Sequence, residues 1–158
     1  MLDGLLPLLE QGERPAAVAV ASNSAAVAPT DALVETLLEG DEERAGELAD
    51  EMDGENAYMR SKLALARAVR RRAKAWGDTG VRLNAISPGP VLTPLLQSGL
   101  DHPVTGPMIR QFPIPLGRWG EKDEIADGVW FLLTNGWTHG VVLFVDGGTD
   151  ALINPDRL

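Results

Sequence analysis

"NAYMRSKLALARAVRRRAKAWGDTGVRLNAISPGP", residues 56–90, spells out a helix, a stop and a strand in one continuous run. Tyr58, Leu65, Ala66, Val69, Ala73 and Trp76 recur at helical spacing, so an apolar stripe runs from Asn56 to about Trp76. "GDTG" at 77–80 closes it, because glycine readily takes the left-handed conformation that helix ends use. Residues 81–87, "VRLNAIS", then read as a strand, punctuated by Pro88-Gly89-Pro90. A helix delivered through a short turn into an apolar strand is half of a parallel crossover.

The flanks repeat the theme. "PAAVAVASN" at 15–23 and "GVVLFVDGG" at 140–148 are short apolar runs suited to buried strands. "MLDGLLPLLEQG" at 1–12 reads as the tail of an amphipathic helix ended by Gly12, and 30–53 as one or two helices capped by Thr30 or Asp31. A Pro-rich loop with a short helical piece follows residue 90. "EKDEIADGVWFLLTNG" at 121–136 gives a further helix, its acidic residues in the first turn, where the helix dipole favours them. The fold class is α/β: one domain over 1–158, with about three parallel strands and crossover helices, the C-terminal portion of a doubly wound Rossmann-like sheet.

Composition narrows the function. With 158 residues and 44% hydrophobic content the chain can bury a core. There is no cysteine, so disulfides, thiolate nucleophiles and Cys-based metal sites are excluded; His102 and His139 sit in no ligand-spaced motif, and no metal is expected. Net charge −9 argues against nucleic acid as a partner, and the apolar runs are too short to span a bilayer; a cytoplasmic protein is expected. Charge is segregated: 35–55 is dense in Asp and Glu, while Arg60, Lys62, Arg67, Arg70, Arg71, Arg72 and Lys74 crowd the next helix. The plain expectation is two solvated faces side by side.

Tyr58 and Lys62 stand four residues apart, one above the other on a helix. A free phenol, with a pKa of about 10, is a poor acid or base at neutral pH, and a neighbouring ammonium favours its ionised form. Such a pair suits proton exchange with an alcohol or ketone oxygen. Ser22 falls at a strand end, where open α/β sheets present ligand groups. Pro88-Gly89 ends the next strand, with glycine expected to admit a flat ligand and Thr93 to offer a hydroxyl. Plainer roles exist for each: Ser22 satisfying backbone, Thr93 capping the next helical turn, and Asp146-Gly147-Gly148 forming a turn.

The ordered set of strand-Ser22, Tyr58-Met-Arg-Ser61-Lys62, Asn84-x-Ile-x-Pro88-Gly89-x-Val91-x-Thr93 and "VDGG" at 145–148 resembles the short-chain dehydrogenase/reductase family over nearly the whole chain. Within it, "RRRAKAWGDTGVRLNAISPGPVLTPLLQSGL" is most similar to the bacterial hydroxysteroid dehydrogenase/carbonyl reductase branch. The resemblance implies NAD or NADP as cofactor and a hydroxysteroid or similar bulky alcohol or ketone as substrate. It implies Tyr58 as general acid/base, Lys62 on the nicotinamide ribose, and Ser22 (Ser24 the alternative) on the substrate oxygen. Pro88, Gly89, Val91 and Thr93 would line the nicotinamide.

The family's Gly-x-x-x-Gly-x-Gly loop and Asn-Asn-Ala-Gly segment do not occur in these residues. The expectation is a chain beginning inside a helix, with roughly one hundred preceding family residues missing, by usual domain size. A non-catalytic remnant or interaction subunit is then the alternative function. A bare edge at residues 15–23 and an uncovered sheet face are also expected, and with them a homo-oligomer, a dimer first of all. The 36-residue interval from Ser22 to Tyr58 contains an acidic helical insertion at about 27–55. It is expected to cover the helix face that many members use for four-helix dimer packing.

Overall fold

A computed structural model describes residues 2–156. Three strands, β1 (Ala16–Val20), β2 (Arg82–Pro88) and β3 (Val142–Val145), form a parallel sheet in the order β1-β2-β3. Ala16 pairs with Arg82 and Val20 with Ile86; Ala85 pairs with Val142 and Pro88 with Val145. All three strands therefore end on the same side, as the sequence expectation required; the runs at 15–23 and 140–148 overstated their strands by a few residues, while 81–87 is shifted by one.

α1 (Leu2–Leu9) precedes the sheet. Between β1 and β2 come a 3-10 turn (Asn23–Ala26), α2 (Ala32–Glu39), α3 (Glu42–Asp50), α4 (Gly54–Arg71) and α5 (Ala73–Asp78). α6 (Pro94–Asp101), α7 (Thr105–Arg110) and α8 (Lys122–Thr134) separate β2 from β3, and α9 (Thr149–Ile153) follows. The expected single helix up to Trp76 is broken at Arg72, whose N–H reaches back to the Ala68 carbonyl at 3.1 Å. Trp76, in the α5 that follows, is part of the buried core.

That core lies on one face of the sheet. Val69 and Trp76 pack with Val81, Leu83 and Ala85, and against this cluster pack Leu2, Leu6 and Leu9 of α1 together with Ala17, Ala19 and Val142 of the sheet. The opposite face is not bare, contrary to the sequence expectation. α8 lies across it, with Gly128 so close to the sheet that a Cβ there would stand 2.9 Å from Ile86 Cδ1 and 3.3 Å from Val145 Cγ2. Both crossovers step in the same direction along the sheet, yet α4 and α8 occupy opposite faces. They are therefore of opposite hand, and one departs from the right-handed rule that holds for about 98% of such units. The expected edge is present: β1 has a single sheet neighbour, β2.

The acidic segment and the basic helix are not two independent solvated faces. α2 packs along α4, where Arg60 meets Asp31 and where Arg67 and Arg71 converge on Glu35 at 3.6 and 3.2 Å. Asp31, not Thr30, caps α2 through the Val34 N–H. Thr30 instead takes a 2.6 Å hydrogen bond from Arg67. No helix among the described residues is long and apolar enough to cross a membrane.

Candidate active site

The carboxyl ends of β1 and β2 meet where Ala21 N–H donates to the Ile86 carbonyl at 2.8 Å. Ser22 follows in extended conformation and caps the 3-10 turn. Its Oγ accepts from the Ser24 N–H at 3.2 Å and from the Ser24 hydroxyl at 3.0 Å. The plainer role of Ser22 is thus filled, with Ser24 as its hydrogen-bond partner. A serine oxygen that accepts twice still has its own proton to donate.

Lys62 is fixed from the other side. Its Nζ donates to the Val20 carbonyl at 3.0 Å and stands 5.5 Å from the Tyr58 ring centroid. Asp53 starts the helix that carries both, accepting from the Asn56 N–H at 2.9 Å; that hydrogen bond holds the Asp53 carboxyl below its ordinary range. Tyr58 is 48% exposed, and its hydroxyl has no hydrogen-bond partner among the described residues. The four-residue spacing therefore does bring ammonium and phenol together, and the ammonium is tied to the strand end two residues before Ser22.

Residues 88–93 show a different logic from the one expected. A Cβ on Gly89 would lie 2.7 Å from Asp146 Cα and 2.8 Å from Asp146 Cβ. Glycine is required there by the β3 turn, not by a flat ligand alone. Val91 forms a parallel bridge with Gly120, in which Gly120 donates to the Pro90 carbonyl and Leu92 to the Gly120 carbonyl. This leaves the Val91 N–H without a partner among the described residues. Thr93 caps α6 through the Leu96 N–H at 3.2 Å and donates to the Val91 carbonyl at 3.2 Å. Its plainer role is occupied as well. Asp146 accepts from the Gly148 and Asp150 N–H groups, while Gly147 and Gly148 take the left-handed conformations with φ of +68° and +93° that this turn demands.

Several positioning residues were not apparent in the sequence. Ser87, fully buried, donates to the Ser22 carbonyl at 3.3 Å and so holds the serine's backbone. Asn84, with no exposed surface, bonds the Thr138 carbonyl and the Val141 N–H. His139 accepts from the Leu83 N–H through Nδ1 and donates from Nε2 to the Ala73 carbonyl. Only the polar residue inside an apolar strand at Asn84 offered a signal for any of these.

Two concavities stand out. One, of about 550 Å³, lies at the end of β3 between Ile114, Leu116, Ile125 and Phe144; it touches Pro90 but none of Ser22, Tyr58 or Lys62. The other, of about 520 Å³, includes Tyr58. Beside the first, Arg118 forks onto Glu124 at 2.9 and 2.6 Å, and the Glu121 N–H adds a bond at 2.8 Å. The guanidinium first, and then that N–H, holds the Glu124 carboxyl down to about 2. Among the described residues no group of three metal-ligating side chains occurs.

A family model described as enoyl-(acyl carrier protein) reductase matches residues 45–150. The 3-alpha-hydroxysteroid dehydrogenase/carbonyl reductase of Comamonas testosteroni is 43% identical over 164 residues, covering 99% of this chain and 64% of that protein. The glucose 1-dehydrogenase of Gluconobacter oxydans is 39% identical over 93 residues, 58% of this chain and 35% of its own length. The crystal structure of the 3-alpha-hydroxysteroid dehydrogenase from Pseudomonas sp. B-0831 complexed with NADH superposes with a TM-score of 0.91 at 44% identity, over 99% of this chain and 64% of that one. The chain thus spans a little under two thirds of the length of these two hydroxysteroid dehydrogenase relatives.

Proposed function

The chain belongs to the short-chain dehydrogenase/reductase family, and from that premise we propose that it carries the proton-transfer and nicotinamide-binding part of an NAD- or NADP-dependent oxidoreductase acting on a hydroxysteroid or similar bulky alcohol or ketone. The observation that carries this reading is Lys62, held between the Val20 carbonyl and the Tyr58 ring. Two relatives that match 99% of this chain, named for hydroxysteroid dehydrogenase and carbonyl reductase activity, support the substrate class.

A bound nicotinamide dinucleotide supplies or accepts the hydride. The rest falls to the chain's own residues. In the reducing direction the Tyr58 hydroxyl gives its proton to the carbonyl oxygen, and in the oxidising direction Tyr58 takes it back. The Lys62 ammonium offsets the negative charge left on the Tyr58 oxygen, and the free Ser22 proton holds the substrate oxygen in line. The residues present fit the nicotinamide end of the cofactor. The Val91 N–H, without a partner among the described residues, would donate to a carboxamide beside Thr93, Pro88 and Gly89, and Lys62 would hold the ribose. A homo-dimer in the cytoplasm belongs to the same reading; exposed Trp130 and Trp137 support association.

The test is nicotinamide fluorescence titration with NADH and NADPH, together with ketone reduction by wild type, Y58F and K62M. Y58F should retain binding and lose about 10²–10⁴-fold in turnover, the usual scale for a general acid. A Y58F variant as fast as wild type would refute the assignment. Dissociation constants no tighter than about 1 mM for both dinucleotides, roughly 4 kcal/mol, would favour the non-catalytic alternative.

A further inference from the structure

The cleft between the α2–α3 hairpin and the first turns of α4 plays no part in the account above. It measures about 520 Å³ and is walled by Leu33 and Leu37 of α2, Ala45 and Ala49 of α3, and Ala57 and Tyr58 of α4. That volume lies within the roughly 300–1,000 Å³ typical of small-molecule sites. Besides Tyr58, Glu42 and Ser61 are its polar lining, and the Ser61 hydroxyl is already bonded to the Tyr58 carbonyl at 2.7 Å.

Two glycines complete the lining, Gly46 within α3 and Gly54 at the start of α4. Glycine inside a helix costs about 0.5–1 kcal/mol relative to alanine. Packing gives no reason for it here: a Cβ built on Gly46 or Gly54 meets nothing within 4 Å. What the bare positions preserve is open volume beside Tyr58.

We propose that this cleft is a binding subsite for the neutral, ring-based hydrocarbon body of an alcohol or ketone whose oxygen reaches Tyr58. The proposal rests on the Tyr58 reading above, and gives the acidic insertion a role in substrate recognition. The alanine and glycine surfaces of α3 and α4 form a smooth floor for a fused ring, and the two leucines bound it. A rigid ring loses little conformational entropy on binding. Glu42 in the lining and Glu43 next to it set a negative field against carboxylate-bearing ligands, Glu47 of the same helix being paired with Arg44 at 2.6 Å.

The experiment is a titration of the ¹⁵N-labelled full chain with 2-decalone, a neutral bicyclic ketone, without cofactor. Saturable amide shifts at Gly46, Ala49 and Gly54 are expected. G46L, which fills the cleft without a clash at Cβ, should weaken binding at least about tenfold, whereas G46A should bind nearly as wild type. A49L, on the same wall, provides the same readout should G46L fail to fold. No saturable shift at these amides, or cleft-filling variants that bind as wild type does, would overturn the proposal. Because no cofactor is present, the two readings separate: Y58F retaining turnover defeats the catalytic assignment, while G46L retaining binding defeats only the subsite.

Discussion

Replacing Gly89 by alanine tests what the Pro88-Gly89 turn is for. The added methyl would meet Asp146 Cα at 2.7 Å, Asp146 Cβ at 2.8 Å and the Asp146 carbonyl oxygen at 3.2 Å. Ordinary contacts of this kind lie at 3.4–4 Å, so the strand end and the β3 turn must separate by about 0.7 Å. Two of these atoms are backbone, and the turn is held by the Gly89 N–H to the Val145 carbonyl at 3.0 Å and by Asp146 bonds to Gly148 and Asp150. Neither side can yield as a flexible side-chain tip would. Overpacking typically costs about 1–3 kcal/mol, and G89A belongs at the upper end, about 3 kcal/mol. For a domain of this size that corresponds to a fall of roughly 6–12 °C in melting temperature. The assay is urea and thermal unfolding by circular dichroism in the absence of any dinucleotide, with G46A as the control that should be neutral or slightly stabilising. A G89A loss below about 1 kcal/mol would refute the packing argument and return Gly89 to a ligand-only role.

Three further outcomes are expected. N84L leaves the Val141 N–H without its partner and takes one of two donors from the Thr138 carbonyl, which keeps Arg82 at 3.4 Å, and should cost about 1–3 kcal/mol in urea unfolding. D31A removes both the α2 cap and the carboxylate partner of Arg60, whose guanidinium keeps Asn56, and should cost about 1–3 kcal/mol; E35A, among exposed charges, should cost no more than about 1 kcal/mol and less in high salt. The Glu124 carboxyl is depressed from 4.5 to about 2, so its stabilising contribution is complete above 4.5 and is lost as pH falls toward 2. Wild type should therefore lose more melting temperature than E124Q between pH 5 and about 2; parallel profiles would count against the Arg118–Glu124 contact.

The helix-spaced pair Tyr58 and Lys62, the three strand positions and the turn at 146–148 were all legible because each rests on local periodicity or local backbone demands. Their order in the chain was enough to point to the family. The extent of the helices was less legible: the break at Arg72 follows no glycine or proline, so no local signal marks it. Asn84 reaches partners 54 and 57 residues away, His139 reaches Ala73 across 66, and Arg82 caps the end of α8 at Leu132 and Leu133. No periodicity encodes such pairings, because they depend on which elements the sheet brings together.

The sequence by itself determined the chemistry on offer: a phenol and an ammonium on one helical face, a serine at a strand end, no thiol and a segregated charge pattern. Local spacing suffices for that, since side chains four residues apart on a helix must meet. Only the tertiary structure decided what surrounds them. It tied Lys62 to the end of β1, set Gly89 against Asp146, clamped the acidic insertion onto the basic helix and opened a cleft beside Tyr58. Those outcomes depend on contacts between residues distant in the chain, whose energies exist only once the sheet has fixed the helices in place.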